Sequence, residues 1–468
     1  MSNKPSTSNH LPDHNLPSHN DSALTDRERA LFDITEKVFE YSRLEKCDAA
    51  DLAIDQLSGA EYAVRNGEPE TIERNQDKGL EVRVFMGDQT GSASTTDFSD
   101  DAIRATVRAA ASIARVTEGD PCLKLADPAL YPINFPDLRL NHPSDLSAAD
   151  LARFGIEQAI ACETAALNSD SRINNSEGAS FSAHEGVSLM RNSLGFTGFS
   201  RGTRYGLSCS VIAGESSAMQ RDYWYDSKRR LETLESARSI GERAAQRTVQ
   251  RLDARKIDTC KVPILFDATI APGLLRNLIS AINGNAVYKK SSFLAGKLNQ
   301  QIFPEHISIA QQPHIVEGMG SAVYDGDGVA TRNHTYIEQG RLVSYVLSQY
   351  SACKLKLSTT GNAGGVRNLR INHDDISQTQ LLSRMDRGLL VTEMMGFGVN
   401  NVTGDYSRGA AGFWIENGEI QYPVHEITLS GNLSNMFLGI SGIADDTNCK
   451  GNIQSGSILI DEMTIGGS

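Results

Sequence analysis

Two of the chain's asparagine-glycine pairs, Asn66-Gly67 and Asn417-Gly418, constrain it more than any other local feature. A two-residue hairpin turn needs positive φ at both central positions, and Asn followed by Gly adopts that geometry at the least steric cost. The flanking residues agree. In Phe413-Trp-Ile-Glu-Asn-Gly-Glu-Ile-Gln-Tyr-Pro423 two alternating arms surround the turn, and Tyr62 and Val64 share a face ahead of Asn66. Alternation of this kind commits each arm to one buried face, because a slip of one residue would turn the core outward. Glu338-Gln-Gly340 marks another turn, between Thr335-Tyr-Ile337 and Leu342-Val-Ser-Tyr345. The fold class predicted is α+β. An N-terminal α/β domain with antiparallel sheet and helices precedes a C-terminal, mostly antiparallel β domain, barrel-like or sandwich.

The helices have their own punctuation. Thr25 can cap a helix on which Leu31, Ile34, Val38 and Tyr41 recur at three- and four-residue intervals. A second hairpin pairs Leu80 to Phe85 with Gly91 to Thr96 around Gly87-Asp88, and Asp97 to Asp100 then cap a helix carrying Ile103, Val107, Ala110 and Ala114. A proline-rich connector from Leu130 to Pro143 leads to a helix from about Ser147 to Leu167. From Arg172 to Tyr225 the pattern predicts short meandering strands broken at Glu177-Gly178, Glu185-Gly186, Gly195, Gly202 and Gly214. Asp226 to Asp258 reads as one long helix with a solvated, charge-interleaved face. The domains are therefore expected at 24–258 and 259–468, after a solvated tail over 1–23. Val262 to Phe266 begins a buried strand in the second domain, and Pro272-Gly273 opens its first helix.

Composition narrows the function. With 45 Lys plus Arg against 58 Asp plus Glu, the chain carries a net charge of −13, which disfavours a non-specific nucleic-acid surface. It has no apolar run long enough for a membrane span, and the polar N-terminus fails as a signal peptide, so the expected location is cytoplasmic. The seven cysteines are scattered singly, which suits reduced thiols. No phosphate-binding glycine loop is present. Asp325 and Asp327 echo a calcium loop, but its twelfth position is Tyr336, and Ser351-Ala-Cys-Lys354 lacks the companions of a serine-lysine hydrolase. Of the ten histidines, His184 and His425 each precede a Glu, yet neither has a second imidazole one helical turn away.

Resemblance reaches further. The segment Val402-Thr-Gly-Asp-Tyr-Ser-Arg-Gly-Ala-Ala-Gly-Phe413, continuing through the hairpin to Val424, resembles the hallmark of the PmbA branch of the TldD/PmbA family. Gly91 to Asp97, Arg172 to Gly178, Gln220 to Tyr223, Val287-Tyr-Lys-Lys-Ser-Ser-Phe293, Ser358 to Gly361 and Gly451 to Ser457 agree in order and spacing. The similarity runs from about Leu31 to the C-terminus. It implies a subunit of a cytosolic metalloprotease complex in which a TldD-type subunit carries zinc on a His-Glu-x-x-x-His helix. Unfolded peptides are the implied substrates, with antitoxin CcdA degradation and peptide-antibiotic maturation as implied roles. In this chain the corresponding stretch, Pro272 to Gly284, has no His or Glu, and Ser455 stands where some relatives have Cys. The expectation is a chain with no catalytic residue and no metal site of its own. Asp405, Tyr406 and Arg408 are the candidates for peptide or partner contact, since Arg can fork to a carboxylate and Tyr offers a flat face. The alternative is a non-proteolytic regulator acting on DNA gyrase or the carbon storage regulator.

Overall fold

The structure, a computed structural model, describes residues 24–467, and the tail expected over 1–23 lies outside the described residues. The first half is a six-stranded, wholly antiparallel sheet built from β1 (Ala49–Arg65), β2 (Glu68–Met86), β3 (Gln89–Thr95), β4 (Ile173–Asn192), β5 (Thr197–Ala213) and β6 (Gln220–Lys228). The order across it is β3-β2-β1-β4-β5-β6. Four helices pack on it: α1 (Asp26–Leu44), α2 (Asp100–Ala114), α3 (Ala148–Leu167) and α4 (Ala237–Gln250). Thr25 closes a capping box with Glu28 at the start of α1, and Ser99 and Ser147 cap α2 and α3. The sheet has two adjoining cores. Leu52, Ile54, Val82 and Val84 meet α1 and α2 in one, and Tyr62, Val64, Phe181 and Val211 meet α3 and α4 in the other.

Three sequence expectations change here. The strands of Arg172 to Tyr225 are long rather than short: β4 and β5 run through Gly178, Gly186 and Gly202 without turning. Gly178 sits at a bulge with φ +107, where a Cβ would lie 2.5 Å from the Val64 carbonyl, so it serves close strand approach rather than a turn. The single helix over Asp226 to Asp258 is absent. Its first residues extend β6, whose ladder with β5 runs to Tyr205↔Lys228, a 3-10 turn follows at Leu231–Thr233, and α-helix begins only after Ser236, whose side chain accepts the Ser239 N–H. Asp226 accepts the Glu235 backbone N–H, which fixes the corner between strand and helix. Finally, Cys122 and Cys353 form a disulfide across 231 residues of sequence. The pairing has no local signature, because it arises where the segment after α2 lies on a helix of the second half.

That half contains β7 (Cys260–Phe266), α5 (Pro272–Ala281), α6 (Gly284–Tyr288), β8 (Ile309–Gln311), β9 (His334–Glu338), β10 (Arg341–Leu342), α7 (Gln349–Leu355) and β11 (Leu369–Ile371). It continues with α8 (Gln378–Leu382), β12 (Arg387–Met395), β13 (Asp405–Glu416), β14 (Glu419–Asn432), α9 (Leu433–Leu438), β15 (Ile440–Ile443), β16 (Ile453–Gln454) and β17 (Ile458–Gly466). β14, β13, β12, β7 and β17 follow one another, and β14 also pairs with β17, closing a five-stranded barrel-like sheet. Every pair in that ring is antiparallel except β7 with β12. A smaller sheet, β10-β9-β8-β11-β16, and α5 bury the largest apolar core against it. Asn417 and Gly418 adopt φ 51 and 79 at the β13–β14 turn. Among the described residues no helix is long and apolar enough to cross a membrane.

Candidate functional site

The strand β13 alternates its side chains, so Tyr406 and Arg408 share one face and Asp405 takes the other. Tyr406 is only 3% exposed and packs in the core of the second half. Burial pushes its hydroxyl up to about 12, with the Arg408 guanidinium as a hydrogen-bonding neighbour pulling the other way. Arg408 Nε is buried and finds no hydrogen-bond partner among the described residues. Asp405 faces outward. It accepts from Thr403 Oγ1 at 2.6 Å and Asn432 Nδ2 at 3.2 Å, and these bonds hold its carboxyl below the usual aspartate range. The structure thus brings Tyr406 and Arg408 together and places Asp405 apart from them.

The loop entering β13 is tied to a distant segment. Asn401 Nδ2 donates to the Ser291 carbonyl at 3.0 Å, the Phe293 N–H donates to the Asn401 carbonyl at 3.0 Å, and the Leu433 N–H donates to the Gly404 carbonyl at 2.7 Å. Ser291 lies on the rim of an open cleft of about 460 Å³ between α5 and α6. Arg276 and Ser280 of α5 form one wall, and Asn285 and Lys289 form the other. No carboxylate is among its lining residues, so its field is cationic, set by Arg276 and Lys289. In the β12–β13 connection Phe397 stands fully exposed, with Met395 and Val402 also open to solvent. A second cleft, of about 440 Å³, lies where Arg247 of α4 faces Phe413 and Tyr422 of the long hairpin, with Asp222, Asp267 and Gln378 on its walls.

Motif reading missed Arg276 and Lys289 because one sits on the short helix α5, the other at the C-cap of α6, and they match no catalytic spacing. The available signals were the Pro272-Gly273 helix start and Asn283, which caps α6 by accepting from the Asn285 N–H. The inner face of α5 is apolar, with Leu274, Leu275, Leu278 and Ala281 buried.

A hydrolytic zinc requires converging imidazole, thiolate or carboxylate donors. Helix α5 carries none of these residue types, and among the described residues no group of three or more His, Cys, Asp or Glu could hold a metal ion. His314 and His334 bond to Thr331 and Ser344 hydroxyls, and burial pushes both imidazoles below the ordinary range. Glu426, beside His425, pairs with Lys256 at 2.6 Å, while the buried Ser455 hydroxyl donates to the Gly456 carbonyl. These residues do not fit a zinc site. Ser351 is likewise structural, since its hydroxyl closes the N-terminal cap of α7 with Ser348.

Comparison with known proteins matches the chain to three consecutive domain families. They are described as the PmbA/TldA metallopeptidase domain 1 over residues 50–114, the central domain over 141–252 and the C-terminal domain over 259–467. A protein named Metalloprotease PmbA from Escherichia coli O157:H7 is 45% identical over 422 residues, covering 90% of this chain and 93% of its own. A Metalloprotease PmbA homolog from Haemophilus influenzae is 44% identical, covering 90% and 92%. Among solved structures, one from Bacteroides thetaiotaomicron, named as a modulator of DNA gyrase, aligns with a TM-score of 0.88 at 28% identity over 95% of this chain and 100% of its own. TldE from Thermococcus kodakarensis shares the fold, with a TM-score of 0.80 at 20% identity over 93% of this chain and 100% of its own.

Proposed function

We propose a function from one premise: this chain belongs to the PmbA/TldD family of metallopeptidases. It is a subunit of a cytosolic proteolytic complex that degrades or processes unfolded peptides, antitoxin degradation and peptide-antibiotic maturation being the kinds of work expected. Its own part is non-catalytic: wall, peptide-holding cleft and docking surface for a TldD-type subunit that brings the zinc. The observation that carries this reading is α5, which keeps an apolar inner face yet presents Arg276 and Ser280 to an open cleft and carries no His, Cys, Asp or Glu. A cationic cleft that lacks metal donors can hold a peptide carboxylate but cannot activate water. Asp405 accepts from Thr403 in the loop that Asn401 ties to Ser291 of the cleft, and that loop leads into the strand carrying Tyr406 and Arg408.

The test is to measure zinc content and peptidase activity on the purified chain alone, then mixed with its TldD-type subunit. The expected result is a metal-poor, inactive lone chain and zinc-dependent cleavage in the mixture. Stoichiometric zinc with activity in the lone chain would overturn the reading. A regulatory reading draws on the gyrase name carried by the Bacteroides thetaiotaomicron structure. A pull-down that recovers gyrase or an RNA regulator and no His-Glu-x-x-x-His protein would favour it, although the acidic net charge of −13 argues against direct DNA contact.

A further inference from the structure

We propose that the Cys122–Cys353 pair is a redox-modification site: a reversible clamp between the two halves that small or protein dithiols open and disulfides close. Cys353 lies within α7 and is only half-buried, so it is the sulfur a reductant reaches, while Cys122 is buried in the segment that follows α2, with their Cα atoms 5.5 Å apart. The surroundings are built to keep the two thiols together when the bond is open. Asp120 accepts the Cys122 N–H at 3.0 Å, the Tyr350 hydroxyl at 3.0 Å and the Lys354 ammonium at 2.7 Å, so a polar latch spans the same junction as the sulfurs. A pair held this way can reform its bond without searching the unfolded ensemble, which distinguishes a switch from a bond made once during folding.

The clamp bears on the neighbouring helix. Tyr350 of α7 packs edge-on against Tyr288 of α6 at 5.8 Å, and the Gly284 N–H donates to the Val346 carbonyl just ahead of α7. A Cβ at Gly284 would lie 2.3 Å from Ser351 Oγ, so α6 and α7 meet almost backbone to side chain. Helix α6 in turn carries Asn285 and forms a wall of the cationic cleft. Opening the bond therefore loosens α7 and, through it, α6.

The chemistry balances as two thiol–disulfide exchanges. A reductant thiolate attacks one sulfur of the bridge, forming a mixed disulfide and releasing the other cysteine as a thiol after it takes a proton. The second thiol of the reductant then displaces the first cysteine. Two electrons and two protons pass from the dithiol to the protein, and the reductant leaves as its own disulfide. Closure reverses the sequence with an oxidised disulfide such as oxidised glutathione. The other five cysteines are free thiols: Cys162 and Cys209 are buried, Cys47 and Cys260 half-buried and Cys449 exposed, so the readout has to be the peptide that joins Cys122 to Cys353 and not total thiol loss.

To test this, the full chain is equilibrated in glutathione buffers of graded ratio without denaturant, its thiols are trapped with N-ethylmaleimide, and the digest is read by mass spectrometry. The expected result is a peptide joining Cys122 to Cys353 that appears and disappears reversibly with the ratio. Hydrogen exchange across residues 284–291 and 349–357 should be about tenfold faster in the reduced form. The Cys122→Ala/Cys353→Ala variant should show the fast exchange at every ratio. The proposal is overturned by absence of the joined peptide at all ratios, by a bridge that glutathione cannot open, or by exchange that does not change when it opens. None of these readouts depends on the peptide-cleaving role.

Discussion

Asp325 is a carboxylate placed where water does not reach, at 1% exposure, and three backbone N–H groups have been turned toward it: Asp327 at 2.9 Å, Val329 at 3.0 Å and Ala363 at 2.9 Å. Desolvation outweighs those donors, and with the nearby Asp327 charge it pushes the carboxyl up to about 6. The folded value lies above the ordinary 3.8, so this group's contribution to stability is full below that pH and is lost as pH rises through about 6. Between pH 7 and pH 5 the wild type should gain about 1 kcal/mol relative to Asp325→Asn, measured by urea unfolding at the two pH values. Parallel profiles would exclude the effect. The variant should also be less stable at both pH values by about 1–3 kcal/mol, because its amide cannot accept from the Ala363 N–H. The turn at Asp325-Gly-Asp-Gly328 was legible from its residues. Its burial was not, since that follows from the loop around Ala363 folding over it. Glu163 makes the same point at the first Asn-Gly turn: from α3 it accepts the Asn66 and Gly67 N–H groups at 2.9 and 2.8 Å, a contact across 97 and 96 residues.

Hairpins are the elements most firmly written in this sequence, because turn residue and strand alternation specify the same register twice. At Gly418, with φ +79, a Cβ would come within 2.8 Å of Ser383 Cα, so the residue answers both a backbone angle and a close contact with the segment after α8. Gly418→Ala should cost about 1–3 kcal/mol and lower the melting temperature, read by calorimetry. Gly451→Ala is the control, since a Cβ there meets nothing within 4 Å and the melting temperature should hold. Elements at a change of structure were harder to read. The charged run after Asp226 has helical spacing throughout, but pairing of β6 with β5 claims its first residues for the sheet. Ladder hydrogen bonds and the Trp224 contacts with Arg243 and Arg247 of α4, at 4.7 and 5.4 Å, exist only once the sheet has formed. The glycines inside β4 and β5 mislead for the same reason, as a turn and a close strand approach call for the same residue.

The whole molecule is two halves joined at several places: the Cys122–Cys353 bridge, Arg251 at the C-cap of α4 with Glu393 of β12, and the Lys450 ammonium 3.8 Å over the Trp224 ring. The proposed cleft belongs to this scale, because the proposed function has Arg276 and Lys289 holding a peptide in the complex with a TldD-type subunit. In that complex, Arg276→Glu with Lys289→Glu should raise KM for acidic peptides roughly tenfold with little change in kcat, since the cations hold the peptide in ground and transition states alike. Steady-state kinetics on the mixed subunits decide it, and an unchanged KM would detach the cleft from peptide binding. By itself the sequence determined the α+β class, the capped helices, the hairpins and the family, because each rests on neighbours within a few residues or on a long ordered motif. The tertiary structure alone decided the barrel closure of β14 on β17 and the disulfide. Each of those depends on groups far apart in the chain whose meeting costs loop entropy and is repaid by burial, and local sequence carries no record of that exchange.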